Sequence, residues 1–222
     1  MVASSPVRLL YHFPLSPFSR RARLALAHKA LDVTLRDARA DAALLDEARA
    51  RSAIKTIPLL VEPDGRALGD SGAIAHYLDA AYGGAALWPR GDARDASAMF
   101  EIAALVDVAL NTIVDLGSRY FDLKGDAAWP AVKGEMVGRA QSALDALGER
   151  AASLGRPTVL ASGWCAADIW LFTATAWLEG LPARAATNKN VGQIVTLGWT
   201  LPAALSRWAD AHRERADVRA LG

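Results

Sequence analysis

The sequence predicts a two-part protein: an α/β domain over residues 1–82, a linker over 83–92 and an all-helical domain over 93–222. Three observations predict it. Short apolar runs of strand character alternate with helix-patterned segments only before residue 83; Gly83-Gly84 and Trp88-Pro89-Arg90-Gly91 then interrupt the pattern; and beyond them the periodicity is helical throughout.

Taken in order, Val7 to His12 is rich in β-formers and stops against Pro14 and Pro17, so it predicts the first strand. From Pro17, Phe18, Ala22, Ala25 and Lys29 recur at helical spacing, and His28 and Lys29 place cationic character at the negative end of the helix dipole. Leu31, Val33 and Leu35 alternate with Asp32, Thr34 and Arg36, the pattern of a half-buried strand, and Asp41 to Arg51 is helical again. Ile57 to Glu62 predicts a further strand, which Pro63-Asp64-Gly65 turns into a short antiparallel partner over Arg66 to Leu68. Ser71 is a candidate cap for a helix running to about Tyr82. The second domain reads as helices at roughly 93–121, 129–153, 166–181 and 202–214, rich in Ala and Leu.

Composition excludes several classes. Charged residues make up 22% and hydrophobic residues 52%, which fits a packed globular chain rather than a disordered one. A net charge of +1 supplies no global field for nucleic acid, although Arg20, Arg21 and Arg23 form a local basic face. One cysteine, Cys165, allows no intramolecular disulfide, and His12, His28, His76 and His212 are too scattered for a metal cluster, so a reducing cytoplasmic setting without a metal is expected. Met1 to Pro6 has neither the charged nor the apolar region of a signal peptide. The longest apolar stretch identified, Ile169 to Leu178, is short of the ~20 residues that cross a bilayer and predicts a buried core helix.

The segment richest in chemistry is Ser16-Pro17-Phe18-Ser19-Arg20-Arg21-Ala22-Arg23. Pro17 suits the first helical position and Ser16 the N-cap, so capping alone explains the pair. Two further motifs follow in order, Thr56-Ile57-Pro58 and Asp70-Ser71 at the head of a helix. Together SPFSRRARLALAHKAL, TIPLLVEPDGRALGDSGAIAHYLD and, more weakly, GWCAADIWLF resemble the glutathione transferases, closest to tau-, zeta- and phi-like classes with a serine before proline. The resemblance covers residues 7–82 in detail and 93–213 in outline. It implies a thioredoxin-like N-terminal domain and a helical C-terminal domain.

What the resemblance implies for the site is specific. Ser16 donates its hydroxyl hydrogen to the sulfur of glutathione, a co-substrate, and favours the thiolate, assisted by the positive end of the helix that follows. Phe18, Lys55, Ile57, Pro58, Asp70 and Ser71 complete the glutathione site. Pro58 is cis and frees the Ile57 backbone to pair with the cysteinyl part, Asp70 meets the α-ammonium of the γ-glutamyl group, and Ser71 with adjacent helix N–H groups meets its carboxylate. Lys55 or Arg20 is a candidate for the glycyl carboxylate, and Phe13, Phe18 and Tyr120 are candidates to line an apolar pocket. The thiolate then attacks a small hydrophobic electrophile held against the helical domain. A homodimer is implied, with no membrane or nucleic-acid partner.

Several alternatives stay open. Tyr11 lies near the position of a catalytic tyrosine in some relatives, and Ser19 is a weaker contender. Serine rather than cysteine at position 16 argues against a reaction through a mixed disulfide. Asp70 where glutamate is commoner, Thr56 where a basic residue is common, and Cys165 where a capping Ser or Thr stands three residues before Asp168 leave room for a non-catalytic protein-interaction module on the same fold. A glutathione-dependent lyase or ether-cleaving enzyme would share the first-substrate site. With a poor acceptor at Cys165, Ser162 is a candidate to take over the cap.

Overall fold

The apolar run after Arg8 forms the central strand β1 (Leu9–His12). The computed structural model describes residues 7–89 and 91–221; the N-terminal Met1 to Pro6, on which the absence of a signal peptide was read, and Arg90 of the linker lie outside the described residues. Contacts divide the chain into two units, Met1–Arg90 with Glu214–Gly222, and Gly91–Arg213.

In the first unit β1 is followed by α1 (Pro17–His28), β2 (Thr34–Asp37), α2 (Ala42–Arg51), β3 (Leu59–Val61), β4 (Ala67–Gly69) and α3 (Ser71–Ala81). The sheet order is β2-β1-β3-β4, with β1 and β2 parallel and the other neighbours antiparallel. This is the thioredoxin-like arrangement. Strand alternation puts Tyr11, Leu59 and Val61 on one face, packed with Ala48 of α2, while Leu10 and Leu60 are fully buried on the other. Each such side chain contributes roughly 1.5–3 kcal/mol on burial.

Two polar clamps close the unit. The Arg8 guanidinium meets both Glu62 carboxylate oxygens at 3.2 Å and the Tyr82 hydroxyl at 2.8 Å, and that hydroxyl donates to Glu62 at 2.8 Å. Asp79 of α3 receives the Lys29 ammonium at 3.1 Å and the backbone N–H groups of Leu87 and Trp88 at 2.8 and 3.0 Å, folding the segment after α3 back onto it. His76 stacks on the Trp88 ring at 4.4 Å, on the same segment.

The strand expected over Leu31–Leu35 begins only at Thr34, and Leu35 is exposed. Position explains it: β2 is an edge strand, paired only with β1, so alternation there is not enforced by burial on both sides. The last residues, assigned above to the helical domain, group with the first unit: α10 (Ala216–Arg219) packs on α1, and Arg23 donates to the Ala220 carbonyl at 3.1 Å.

The second unit holds α4 (Ala93–Leu123), α5 (Trp129–Ser153), α6 (Ala166–Glu179), α7 (Leu181–Ala185), α8 (Lys189–Val195) and α9 (Ala203–Asp210). Helix α6 is apolar nearly all round and buried, as such a helix must be. Helix α4 is longer. An 18-residue window of α4 reaches a mean hydropathy of 1.6, long and apolar enough by composition to cross a bilayer. Its buried stripe, Met99, Ile102, Val106, Ala109, Leu110, Ile113 and Leu116, instead packs among α5, α6 and α8.

Helix α6 starts at Ala166 with Cys165 as its N-cap residue, so the cap does not move to the exposed Ser162. The Cys165 N–H donates to Asp168 Oδ2 at 2.9 Å, and the thiol donates to the same oxygen at 3.1 Å. Asp168 Oδ1 accepts from the Val159 N–H at 2.8 Å, so the fully buried carboxylate also ties the preceding loop to the helix. The sulfur thus donates to the carboxylate of the capping box and also faces the Asp168 N–H at the head of the helix, as a weak acceptor.

Candidate functional site

Strand register brings the three motifs to one end of the sheet. Tyr11 of β1 lies opposite Leu59 of β3, and Leu59 lies opposite Gly69 of β4. Because β1 runs antiparallel to β3, and β3 to β4, the loop after β1, the residues before β3 and the residues after β4 share that end. Ser16, Ile57-Pro58 and Asp70-Ser71 occupy those places, and the N-termini of α1 and α3 open there. Two helix dipoles, each roughly half a positive charge, therefore face one region.

Ser16 is the N-cap of α1 with extended backbone, and its hydroxyl oxygen accepts from the Ser19 N–H at 3.4 Å, a long bond that leaves the hydroxyl hydrogen for another acceptor. The turn carrying it is closed by the Ser16 N–H on the Phe13 carbonyl at 3.0 Å and held by Arg20 Nε on the Pro14 carbonyl at 3.3 Å. The other serine of the motif, Ser19, is fully buried and its hydroxyl oxygen accepts the Phe13 N–H at 3.1 Å. A substrate sulfur does not reach it.

Tyr11 is no nearer a catalytic role. Its ring is 1% exposed, in the core on the α2 face, and its hydroxyl donates to Glu47 at 2.7 Å. Burial and the bond to Glu47 push its pKa up, and the hydroxyl hydrogen is committed to that carboxylate rather than to a substrate sulfur.

The Ile57-Pro58 peptide is cis; Ile57 packs on the α2-face cluster and Pro58 is buried. Asp70, not Ser71, caps α3. Its Oδ1 accepts from the N–H groups of Gly72 and Ala73 at 2.8 and 2.9 Å, while Ser71 is the first helical residue and is 1% exposed. An Asp-Ser pair offers two good capping side chains, and a φ of 70° at Asp70 turns its carboxylate onto the helix end. The Ser71 hydroxyl sits 3.5 Å from Arg21, which links the heads of α1 and α3. Lys55 is exposed and also has a left-handed backbone, with φ 54°. Two of the described non-glycine residues with positive φ thus flank the strand pair beside the site, where such strain is typically concentrated.

Phe18 is half-buried with the Arg21 guanidinium over its ring at 5.6 Å, and Phe13 carries Arg39 at 4.8 Å. Tyr120 belongs to the second unit, edge-on to Trp129 at 5.8 Å in a cluster with Leu116 and Leu197. The electrostatics around the β1–α1 turn are cationic. Burial lowers the pKa of Arg20; burial and then Arg20 lower that of Arg23; and burial, then Arg23, lower that of His12 against the opposing pull of Asp37. His12, at the end of β1, is 5% exposed and was not singled out in the sequence; only its place next to the turn could have drawn attention to it.

The residues fit glutathione. With Asp70 Oδ1 engaged by the helix, Oδ2 is left for an ammonium group, the N-terminal N–H groups of α3 suit a carboxylate, and Ser16 presents a donor at the head of α1. Among the described residues, no group of three or more His, Cys, Asp or Glu side chains is placed to hold a metal ion.

Comparison with known proteins agrees with this geometry. Residues 10–86 match the family described as glutathione S-transferase, N-terminal domain. A relative from Oryza sativa subsp. japonica, described as a probable glutathione S-transferase, is 32% identical over 126 residues, 53% of this chain and 52% of that protein, so the match spans about half the length of each. A glutathione S-transferase from Methylobacillus flagellatus, solved with glutathione bound, superposes with a TM-score of 0.72 over 97% of this chain and 98% of its own at 23% identity. Another, from Methylobacterium radiotolerans and in complex with glutathione sulfonate, also gives 0.72 over 96% and 93% at 22% identity. Those structural likenesses speak for the fold, and the sequence match for the N-terminal domain. Residues 10–86 thus match the glutathione S-transferase N-terminal domain, and the chain as a whole shares the fold of these glutathione transferases.

Proposed function

We propose that this protein binds glutathione at the end of the sheet where α1 and α3 begin, and activates its thiol through the Ser16 hydroxyl for transfer to a small hydrophobic electrophile. The observation that carries this reading is the register Tyr11–Leu59–Gly69, which gathers Ser16, cis-Pro58 and Asp70 at two helix N-termini. Asp70 Oδ2 takes the α-ammonium of the γ-glutamyl group, N–H groups at the head of α3 take its carboxylate, and the Ile57 backbone pairs with the cysteinyl part. Phe18 and Lys55 border the same site, Lys55 supplying charge for the glycyl carboxylate. Ser71 supports it from beneath through Arg21, since its hydroxyl is buried.

The energetics are within reach. A free thiol near pKa 8.5 needs about 2.7 kcal/mol of selective thiolate stabilisation to ionise ~2 units lower. A hydrogen bond to a charged sulfur contributes about 1.5–3 kcal/mol and a helix N-terminus about 0.3–1 kcal/mol or more. The protein acts in the cytoplasm as a homodimer, and light scattering that returns a monomer at high concentration refutes the dimer.

Calorimetric titration with glutathione tests the site, using Asp70→Asn rather than alanine because asparagine keeps the cap and removes only the charge. Binding to the wild type that is weakened at least tenfold in Asp70→Asn supports the reading. A folded wild type that binds no glutathione at millimolar concentration refutes it and favours an interaction module. For the thiolate role, Ser16→Ala is expected to lower glutathione-dependent turnover of a nitroaryl halide about 100-fold near neutral pH, while Tyr11→Phe leaves it unchanged. Equal turnover in Ser16→Ala and wild type would remove Ser16 from the mechanism.

A further inference from the structure

Ser19 is the part of the motif that the proposed chemistry does not use, and its surroundings give it a definite place. It is the third residue of α1, where in a capping box the side chain reaches back to the N–H of the cap residue. That N–H is already taken: Ser16 donates to the Phe13 carbonyl at 3.0 Å. The Ser19 hydroxyl reaches past it instead and accepts the Phe13 N–H at 3.1 Å, at 0% exposure. The Ser19 backbone N–H meanwhile donates to Ser16 Oγ at 3.4 Å.

One residue therefore holds both ends of the turn. Phe13 is its first residue, with its N–H on the Ser19 side chain and its carbonyl on the Ser16 N–H; Ser16 is its last, with its hydroxyl oxygen on the Ser19 backbone. With one lone pair of Ser16 Oγ facing the Ser19 N–H, the hydroxyl hydrogen points away from the helix, where a thiolate at the helix N-terminus would accept it. Among the described residues the Ser19 oxygen is the acceptor that fixes the Phe13 N–H, so without it this part-buried donor would draw the turn toward water or another acceptor.

We propose that Ser19 is a positioning residue, which orients the Ser16 hydroxyl toward the glutathione sulfur by anchoring the Phe13–Ser16 turn. This rests on Ser16 being the thiolate donor, and the experiment separates the two ideas.

The ultraviolet absorbance of bound thiolate is titrated against pH in wild type, Ser16→Ala, Ser19→Ala and Ser19→Thr, with glutathione affinity measured beside it. In Ser19→Ala the bound thiol is expected to ionise about one unit higher, a roughly tenfold loss of thiolate and of kcat below the transition, with glutathione affinity within about threefold of wild type. Ser19→Thr keeps the acceptor oxygen and restores the wild-type profile. Should Ser19→Ala not fold, Ser19→Cys fills the space with a poor acceptor and is expected to give the same shift.

A Ser19→Ala or Ser19→Cys profile that overlays wild type, while Ser16→Ala is shifted, overturns the positioning role and leaves Ser16 standing. Equal shifts in Ser19→Ala and Ser19→Thr overturn it too, because loss of the oxygen is then not the cause. An unshifted Ser16→Ala shows that the thiolate reading has failed, and the positioning role falls with it.

Discussion

Replacing Asp79 with alanine removes one carboxylate and strands three donors. Lys29, whose side chain is 2% exposed, loses its ion-pair partner, and the Leu87 and Trp88 N–H groups lose their acceptors. Breaking a buried pair from one side costs about 3–5 kcal/mol because the remaining charge stays buried. The N–H groups add to this only in part, since the segment after α3 can move toward water and contributions within one network are not additive. A loss of about 4 kcal/mol is expected, with the smaller loss in Lys29→Met, where Asp79 keeps both backbone donors. Urea unfolding of each variant, with m-values compared to check that the same surface is exposed, measures this. The pH dependence gives a second handle. Burial pushes the Asp79 carboxyl up, but the Leu87 and Trp88 N–H groups and Lys29 outweigh it and hold its pKa below the usual carboxylate range. A folded-state pKa below the unfolded one means stability that is fully present above about pH 4–5 and lost as the pH falls through the folded value. The wild type loses this increment in acid, and Asp79→Ala has none to lose. A cost under about 1 kcal/mol, or one no larger than that of Lys29→Met, refutes the reasoning.

Three further outcomes follow from close packing in the second unit. A Cβ at Gly117 would clash with Ile194 Cγ1, so Gly117→Ala, which on helix propensity alone gains about 1 kcal/mol, is expected instead to lower the thermal midpoint, and Ile194→Ala to relieve the clash when combined with it. Cys165 is fully buried and burial, then Asp168, raises its thiol pKa, so the native protein is expected to resist thiol reagents until it unfolds. Cys165→Ser, whose hydroxyl both donates to Asp168 and accepts from the helix, is expected to match or exceed wild-type stability in thermal unfolding, and a loss above about 1 kcal/mol would show that sulfur packing outweighs the cap.

The βα order, the hairpin and the helical second half were legible because each rests on local periodicity or turn chemistry. Ser16-Pro17 could be read as a helix start for the same reason. Asp70-Ser71 could not be resolved between its two capping residues, because the positive φ at Asp70 that decides it depends on where β4 delivers the chain. Tyr11 illustrates another limit: β-formers marked the strand that carries it, but not that α2 covers its face and supplies Glu47. Helices α7, α8 and α10 were missed because runs of five, seven and four residues carry too few turns to show a period. Ser19 was weighed as a nucleophile's helper for its identity, whereas its role depends on an N–H six residues back along a turn.

The bond between Arg23 and the Ala220 carbonyl spans 197 positions, joining α1 to residues that follow the helical half in the sequence. Domains ordinarily fold as they leave the ribosome, the N-terminal one first. Here the first unit keeps an open flank on α1 throughout synthesis of the helical half, and it gains α10 only after that half has emerged. A fragment stopping at residue 90 would therefore represent this unit with one wall missing, and its measured stability would understate that of the same residues in the full chain.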